Sequence, residues 1–196
     1  MNLRAFGETF VTLVVITDPI GNAPIFLTVT RRLAPRQRQR AAIQAVIAAG
    51  ALIVGFAIFG ELVLRYLHVS ISSLSIAGGL LLLLVALEML RGTDFPTGDE
   101  SIGVALVPLA TPLVAGPGAI ATAMVLWRSH HHLAGHVSVI AGIVAAVAVV
   151  GVALLVSERV TRAVRPSVIA FLTRVFGLLL SAIAVQLVVD GVKGLT

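Results

Sequence analysis

The feature that most constrains this chain is a series of apolar stretches, each about as long as a bilayer is thick. A transmembrane helix needs about 20 predominantly apolar residues, and six such stretches nearly fill the 196 residues. They run over Phe6–Val29, Ile43–Leu64, Ser72–Leu90, Ile102–Leu126, Val137–Val156 and Val168–Val189. With 58% hydrophobic and only 12% charged residues, the chain is far more apolar than a water-soluble domain. The sequence therefore predicts an all-α integral membrane protein with six transmembrane helices.

The composition also narrows the function classes. The first apolar stretch is longer than the core of a signal peptide, and no small-residue cleavage site follows it, so we expect a retained span. The chain has no cysteine, which excludes disulfides, thiolate metal sites and a cysteine nucleophile. The net charge of +5 comes mainly from arginines in short loops between apolar spans, which a membrane explains more simply than nucleic acid does. We therefore expect a lipid bilayer around the protein, no nucleic-acid partner and no cofactor.

The basic residues predict an orientation. Short loops rich in lysine and arginine stay on the cytoplasmic side, and the most basic loop contains Arg31, Arg32, Arg36, Arg38 and Arg40. With that loop inside, four of the 14 basic residues lie outside, namely Arg4, Arg65, Arg128 and Lys193. The other ten are cytoplasmic, so we expect both termini to be extracytoplasmic.

The first and fourth spans each contain a run that a continuous helix does not tolerate. These runs are residues 18–24 (DPIGNAP) and residues 111–118 (TPLVAGPG). Proline lacks an amide donor and clashes with the preceding turn, which costs about 3 kcal/mol inside a helix. Pro112 follows Pro19 by 93 positions, and Pro117 follows Pro24 by the same distance. The two runs therefore align without a gap, which indicates an internal repeat with helices 1 and 4 broken at mid-membrane.

Each half of this repeat contains three spans. The third and sixth spans align at an offset of 98 positions, with Gly79 opposite Gly177 and Glu88 opposite Gln186. Because three is odd, the second half must enter the membrane from the opposite side, which makes an inverted-topology repeat. We expect residues 1–91 to form the first repeat, residues 92–101 a cytoplasmic linker, and residues 102–196 the second repeat, within one membrane domain.

Paired helix breaks at corresponding positions favour a transport site. We expect a new half-helix to begin after each break, around Gly21–Asn22 and around Gly116–Gly118. Its unpaired amides suit a carboxylate, and the carbonyls of the preceding half-helix suit a cation. A small zwitterion matches both, with a proton or sodium ion as a coupling partner. The predicted substrate-binding residues are Asp18, Gly21, Asn22, Thr111, Ala115, Gly116 and Gly118. The alternative is that the prolines only kink two helices for packing.

Asp18 and Asn22 each allow two interpretations. An acidic side chain near the bilayer centre costs about 2.5–3.5 kcal/mol and is retained mainly where it is paired or solvated, so Asp18 is a candidate functional residue. Its carboxylate is also suited to cap the second half-helix by accepting the amide of Ile20 or Gly21. Asn22 either caps the same half-helix or contacts a ligand.

Other polar residues have simpler explanations. Glu88 is expected to pair with Arg91 at the interface, with gating or proton coupling as the alternative. Gln186 is expected to make an interhelical hydrogen bond, with a place on the substrate path as the alternative. Glu61 and Arg65 should pair along one helix. No metal site is expected, because no carboxylate or cysteine accompanies His130, His131, His132 and His136.

These motifs resemble those of a known family. Residues 18–22 and 111–120, together with Gly78-Gly79 opening a leucine run in the third span, are similar to the MarC family of bacterial inner-membrane proteins. The resemblance covers nearly the whole chain and implies a multi-pass protein of the bacterial cell membrane with outward termini. Because some relatives are small neutral amino acid transporters, it also implies glycine, alanine, serine or threonine as the substrate class.

The sequence thus favours a transporter over two other classes. An intramembrane enzyme would need a nucleophile with a base, or paired carboxylates, and Asp18 has no second acidic residue at mid-membrane; we therefore expect no enzyme. A non-transporting accessory membrane protein is the remaining alternative, and a flux measurement distinguishes it. The sequence indicates neither the coupling ion nor the oligomeric state.

The loop bias makes the orientation testable with a reporter. Alkaline phosphatase, which folds only outside the cytoplasm, should be active when fused after Thr196. A cytoplasmic reporter at the same position should be inactive. The opposite pair of results would contradict the orientation.

Overall fold

The computed structural model describes residues 2–30, 33–91, 115–130, 132–159 and 165–195. All regular structure in these residues is helical. The helices are α1 (Leu3–Thr17), α2 (Pro19–Val29), α3 (Pro35–Tyr66), α4 (Ile71–Arg91), α5 (Pro117–Ser129), α6 (Leu133–Leu155) and α7 (Pro166–Lys193). The prediction of an all-α protein is therefore confirmed for the described chain.

Proline and asparagine mark the helix starts. Proline is the first residue of α2, α3, α5 and α7, where its fixed φ suits a helix and its missing amide has no partner to lose. The side chain of Asn2 caps α1 by accepting the amides of Arg4 and Ala5. α3 begins at Pro35, eight residues before the second predicted span. The polar residues in between extend the helix beyond its apolar part.

Five stretches of the described chain are long and apolar enough to cross a bilayer. They are Leu3–Leu27, Pro35–Tyr66, Ile71–Arg91, Leu133–Leu155 and Ser167–Lys193. Large apolar side chains such as Phe59, Leu84 and Phe171 are exposed on their outer surfaces, as expected for helices that face lipid. These stretches match the first, second, third, fifth and sixth predicted spans. The fourth predicted span lies outside the described residues as far as position 114, and α5 covers the rest.

Successive membrane spans run in opposite directions, with α1 and α2 together in the first span. The first described helix begins, and the last one ends, at the same end of the molecule. The amide of Asn2 donates to Ser138 Oγ at 2.7 Å, which joins the beginning of α1 to the beginning of α6. Gly194, after α7, packs against Ser72 at the beginning of α4. The beginnings of α1, α4 and α6 therefore lie at the same end as the last residue of α7.

The buried core consists of two clusters. The first cluster joins α1, α2, α3, α5 and α6, and includes Leu13, Phe26, Ile53, Ala119 and Ile143. The second joins α4 and α7, and includes Val15 of α1 with Leu82, Ala86, Leu180 and Ala184. The clusters meet at Ile16 of α1, which packs against both. We refer to α1, α2, α3, α5 and α6 as the bundle, and to α4 with α7 as the helix pair.

Glycines bring the two helices of the pair together. α4 and α7 make the most extensive helix–helix contact of the described chain. A methyl group on Gly79 would lie 2.7 Å from the carbonyl oxygen of Ala184, and one on Gly177 would lie 3.2 Å from that of Ala86. The order of these contacts shows that the helices are antiparallel. Since lipid gives no hydrophobic drive between helices, such close packing is what holds them together.

One arginine of the basic loop has a packing role. Arg38 Nη1 lies 3.7 Å from Glu158 Oε2, just beyond α6, and its Nη2 donates to the carbonyl oxygen of Thr30 at 3.5 Å. Arg38 therefore joins the end of α2, the beginning of α3 and the chain after α6. The expected pair of Arg65 with Glu61 is confirmed at 2.7 Å.

Replacing Gly79 with alanine should destabilise the helix pair. The added methyl would press on a backbone oxygen that cannot move alone, and overpacking of this kind costs about 1–3 kcal/mol. Gly55→Ala on α3 is the matched control, because nothing lies within 4 Å of the new methyl there. The unfolding temperature in detergent should fall for Gly79→Ala and not for Gly55→Ala. Equal unfolding temperatures would contradict the packing role of Gly79.

Candidate functional site

The first helix break is centred on Asp18. This residue separates α1 from α2 with φ 33° and ψ 71°, in the left-handed region that few residues other than glycine adopt. Aspartate tolerates this region because its short side chain can bond to the nearby backbone. Such a conformation costs about 1–3 kcal/mol and is concentrated at functional sites. The predicted break in the first span is confirmed.

The Asp18 carboxylate caps α2. Its Oδ1 accepts the amide of Gly21 at 3.0 Å, and the residue is only 7% exposed. The capping interpretation of Asp18 is therefore confirmed as a structural role. We expected the second half-helix to begin around Gly21–Asn22, but it begins at Pro19. The reason is that Asp18 and Pro19 together form a favourable helix start, in which the proline takes the first helical position.

Asn22 binds to the helix on the other side of the break. Its Nδ2 donates to the carbonyl oxygen of Thr17, the last residue of α1, at 2.6 Å. We expected this side chain either to cap α2 or to contact a ligand, and the bond to Thr17 adds a contact with the end of α1. Asn22 lies in the first turns of α2, five positions after Thr17, so its amide reaches an unpaired carbonyl at the end of α1. Asn22 is also buried, so both ends of the break carry polar groups inside the protein.

The second predicted break falls at the beginning of α5, and the structure describes its C-terminal side from Ala115 onward. Gly116 is the cap residue and Pro117 the first residue of the helix, which confirms the predicted start near Gly116–Gly118. Ala115 is buried, and Gly118 faces Leu82 of α4 so closely that a methyl group would overlap that side chain. Thr111 lies outside the described residues, so its predicted place opposite Asp18 stays a prediction.

The first break and the beginning of α5 lie at similar depth. α1 has 15 residues and α5 has 13, which makes them about 22 and 20 Å long at 1.5 Å per residue. Both extend inward from the same end of the bundle, and they pack against each other. The end of α1 and the beginning of α5 are therefore well inside a hydrocarbon layer of about 30 Å.

Two hydroxyl groups near the breaks were not expected from the sequence. Thr173 of α7 places its Oγ1 3.2 Å from the position that a methyl on Gly21 would take. Thr122 of α5 is 2% exposed, and its hydroxyl has no hydrogen-bond partner in the described chain. Thr122 is four positions after Gly118, so the two residues share one face of α5. Both threonines lie in apolar spans, and nothing in the sequence distinguishes them as site residues from the other threonines of the chain.

The structure corrects the expected partners of Glu88 and Gln186. Gln186 Nε2 donates to Asp190 Oδ1 on its own helix at 2.8 Å, so the expected interhelical bond is wrong. Its side chain lies on the exposed face of α7, away from α4. Glu88 is also exposed, and it makes no ion pair with Arg91 within the described α4. An exposed pair gains little over solvated charges, so the two side chains stay apart.

The histidine segment joins α5 to α6. The rings of Trp127 and His136 stack with centroids 4.0 Å apart, and His130 Nδ1 lies 3.0 Å from the carbonyl oxygen of Leu126. His131 is outside the described residues. Among the residues that the structure describes, no three potential metal ligands lie together.

Comparison with known proteins gives the family. A UPF0056 membrane protein of Methanocaldococcus jannaschii is 37% identical over 99% of this chain and 98% of its own length. The UPF0056 inner membrane protein YhgN of Escherichia coli is 32% identical over 93% of each chain, and the UPF0056 membrane protein YvbG of Bacillus subtilis is 29% identical over 96% and 94%. No solved structure matches the chain. The model of the MarC family integral membrane proteins matches residues 3–196, and the chain therefore belongs to the MarC family of integral membrane proteins.

Proposed function

We propose that this protein transports small neutral amino acids of the glycine, alanine, serine and threonine class across the bacterial inner membrane. The observation that carries the proposal is that the break at Asp18 and the beginning of α5 at Pro117 lie at similar depth in two segments that pack together. Unsatisfied backbone in hydrocarbon costs several kcal/mol per group, so breaks are tolerated where they are packed in protein or line a cavity. Two breaks in adjacent spans concentrate polar groups where a substrate would cross.

The polar groups at the breaks match the two charges of an amino acid. The first amides of α5, on Gly118 and Ala119, have no partner within the helix and suit the substrate carboxylate. The buried hydroxyl of Thr122 adds a donor on the same face of α5 as Gly118. The Asp18 carboxylate suits the substrate ammonium, and a coupling proton or sodium ion would be accepted by the same group. Close packing at the beginning of α5, where a methyl on Gly118 would overlap Leu82, favours a small substrate side chain.

We also propose that the six spans form two inverted three-helix repeats. The glycines that face across the helix pair, Gly79 and Gly177, are 98 positions apart, and so are their contacts Ala86 and Ala184. A two-fold axis between α4 and α7 exchanges these two contacts. Inverted repeats allow one site to open alternately to the two sides of the membrane.

A second pair of helices supports the same symmetry. Gly50 of α3 faces Val147 of α6, and Gly151 of α6 faces Val46 of α3. The two glycines are 101 positions apart, and so are the two valines. The same axis therefore relates α3 to α6. On this proposal both termini are extracytoplasmic and residues 92–101 are a cytoplasmic linker.

The alternative to a transporter is an accessory membrane protein that shares the fold but carries no solute across the membrane. We propose no enzymatic activity, because the polar groups described at the two sites comprise one carboxylate, the Asn22 side-chain amide, hydroxyls and backbone amides, with no paired base among the described residues. Glu88 and Gln186 are kept as candidates for gating or proton coupling, although their exposed positions favour a lesser role.

Counterflow separates transport from an accessory role. Proteoliposomes loaded with unlabelled amino acid should accumulate at least one of radiolabelled glycine, alanine, serine and threonine. Leucine and glutamate should not accumulate, because the first is too large and the second adds a charge. Absence of counterflow with all four small amino acids, in protein that elutes as a single species, would favour the accessory alternative.

Asp18→Asn tests the charge at the first break. Asparagine caps a helix and adopts the left-handed region as well as aspartate does, so the unfolding temperature should stay nearly unchanged. Uptake of the substrate identified by counterflow should fall at least about tenfold, because a neutral amide cannot pair with the ammonium.

Asp18→Ala is the control for capping. Losing the cap costs about 1 kcal/mol, and alanine is strained at a positive φ, so this variant should unfold at a lower temperature. Uptake by Asp18→Asn at the wild-type rate would show that the carboxylate only caps α2.

A further inference from the structure

Thr173 lies on the buried stripe of α7. The buried residues of that helix recur at intervals of three and four, at Gly177, Leu180, Ala184, Leu187 and Gly191. Thr173 extends the stripe by one turn, since it precedes Gly177 by four positions. Residues with this spacing share one face of a helix, and on α7 that face packs against α4 and the end of α1. The hydroxyl of Thr173 therefore faces protein, where the rest of the stripe is apolar or glycine.

The hydroxyl meets the first helix break. The Thr173 Oγ1 and the Asp18 carboxylate both lie within 3.2 Å of the point where a Cβ on Gly21 would be. A Cβ at position 21 would overlap the Asp18 carboxylate, so glycine is what allows that carboxylate to lie here beside Thr173. Two oxygen acceptors, one at the end of α1 and one on α7, therefore lie close together. An ammonium group has three donors and can bond to both oxygens at ordinary distances.

This contact connects two separately packed parts of the molecule. Asp18 and Gly21 belong to the bundle, whereas Thr173 belongs to the helix pair, which has its own core cluster. α4 and α7 contact each other far more than either contacts a bundle helix. Packed units of this kind move as rigid bodies in domain closure. A shift of the helix pair against the bundle would change the separation of Thr173 from Asp18.

We infer that Thr173 binds the ammonium group of the substrate together with Asp18, so that a bound amino acid connects the helix pair to the bundle and holds the site closed. The inference rests on the proposed transport function and adds to it a residue and a moving element. Asp18 supplies the negative charge, and Thr173 supplies a neutral acceptor from α7. Closure is favoured because the substrate makes both contacts only when the two parts are together.

The hydroxyl can be removed at nearly constant volume. In counterflow with the amino acid that the wild type carries, Thr173→Val should raise the half-saturating concentration about tenfold or more, as expected for the loss of one hydrogen bond to a charged group. Thr173→Ser keeps the hydroxyl and should stay within about twofold of the wild type. Thr9→Val is the matched control, because the buried Thr9 hydroxyl donates to the carbonyl of Ala5 in its own helix at 2.8 Å.

Cysteine labelling measures closure independently. The chain has no cysteine, so Thr173→Cys carries the only thiol, and its reaction with a methanethiosulfonate reagent should be slowed by saturating substrate. Arg165→Cys, at the exposed beginning of α7, should react at the same rate with and without substrate. If Thr173→Val does not assemble, the labelling of Thr173→Cys decides the question.

The outcomes distinguish this inference from the proposed function. An unchanged half-saturating concentration in Thr173→Val, or substrate-independent labelling of Thr173→Cys, would overturn the role of Thr173 while wild-type counterflow in the same vesicles keeps the transport function. A wild type without counterflow would overturn both.

Discussion

The need to satisfy every backbone hydrogen bond within hydrocarbon governs this structure. A continuous helix satisfies these backbone groups within a span, but the helix of the first span is interrupted at Asp18. There the polar groups are supplied by neighbouring residues: the Asp18 carboxylate binds the amide of Gly21, and the Asn22 amide binds the carbonyl of Thr17. These bonds are local, so the break does not depend on distant residues to keep its shape. The polar groups of the break are buried inside the protein, where we propose that a solute binds.

Packing between helices follows from the same solvent. Lipid offers no hydrophobic gain when helices associate, so small residues at the crossings supply close contact instead. Gly79 and Gly177 do this for α4 and α7, and Gly142 does it for α6, where a methyl would meet Thr9 of α1. The result is two cores that meet along α1 and α5. The polar groups of both breaks lie near that boundary, where relative movement of the two parts would expose or enclose them.

The site combines groups of different origin. Asp18 and Asn22 come from the first span, Thr122 and the first amides of α5 come from the fourth, and Thr173 comes from the last. Among the described helices, none presents both of the groups that we propose bind the carboxylate and the ammonium of a substrate. A zwitterion would therefore connect several spans at once, which links occupancy of the site to the arrangement of the helices.

The sequence by itself determined the apolar spans, the broken first helix, the start of α5 and the pair of Glu61 with Arg65. These depend on hydropathy, proline chemistry and spacing along one helix, which are local properties. Only the tertiary structure decided that Asn22 binds back to Thr17, that Gln186 binds Asp190 instead of a second helix, and that Thr173 faces Asp18. Those contacts depend on how each helix is rotated about its axis and on which helix crosses it. Rotation and crossing are set by the fit of small and large side chains between helices far apart in the chain, which the order of residues along one span does not contain.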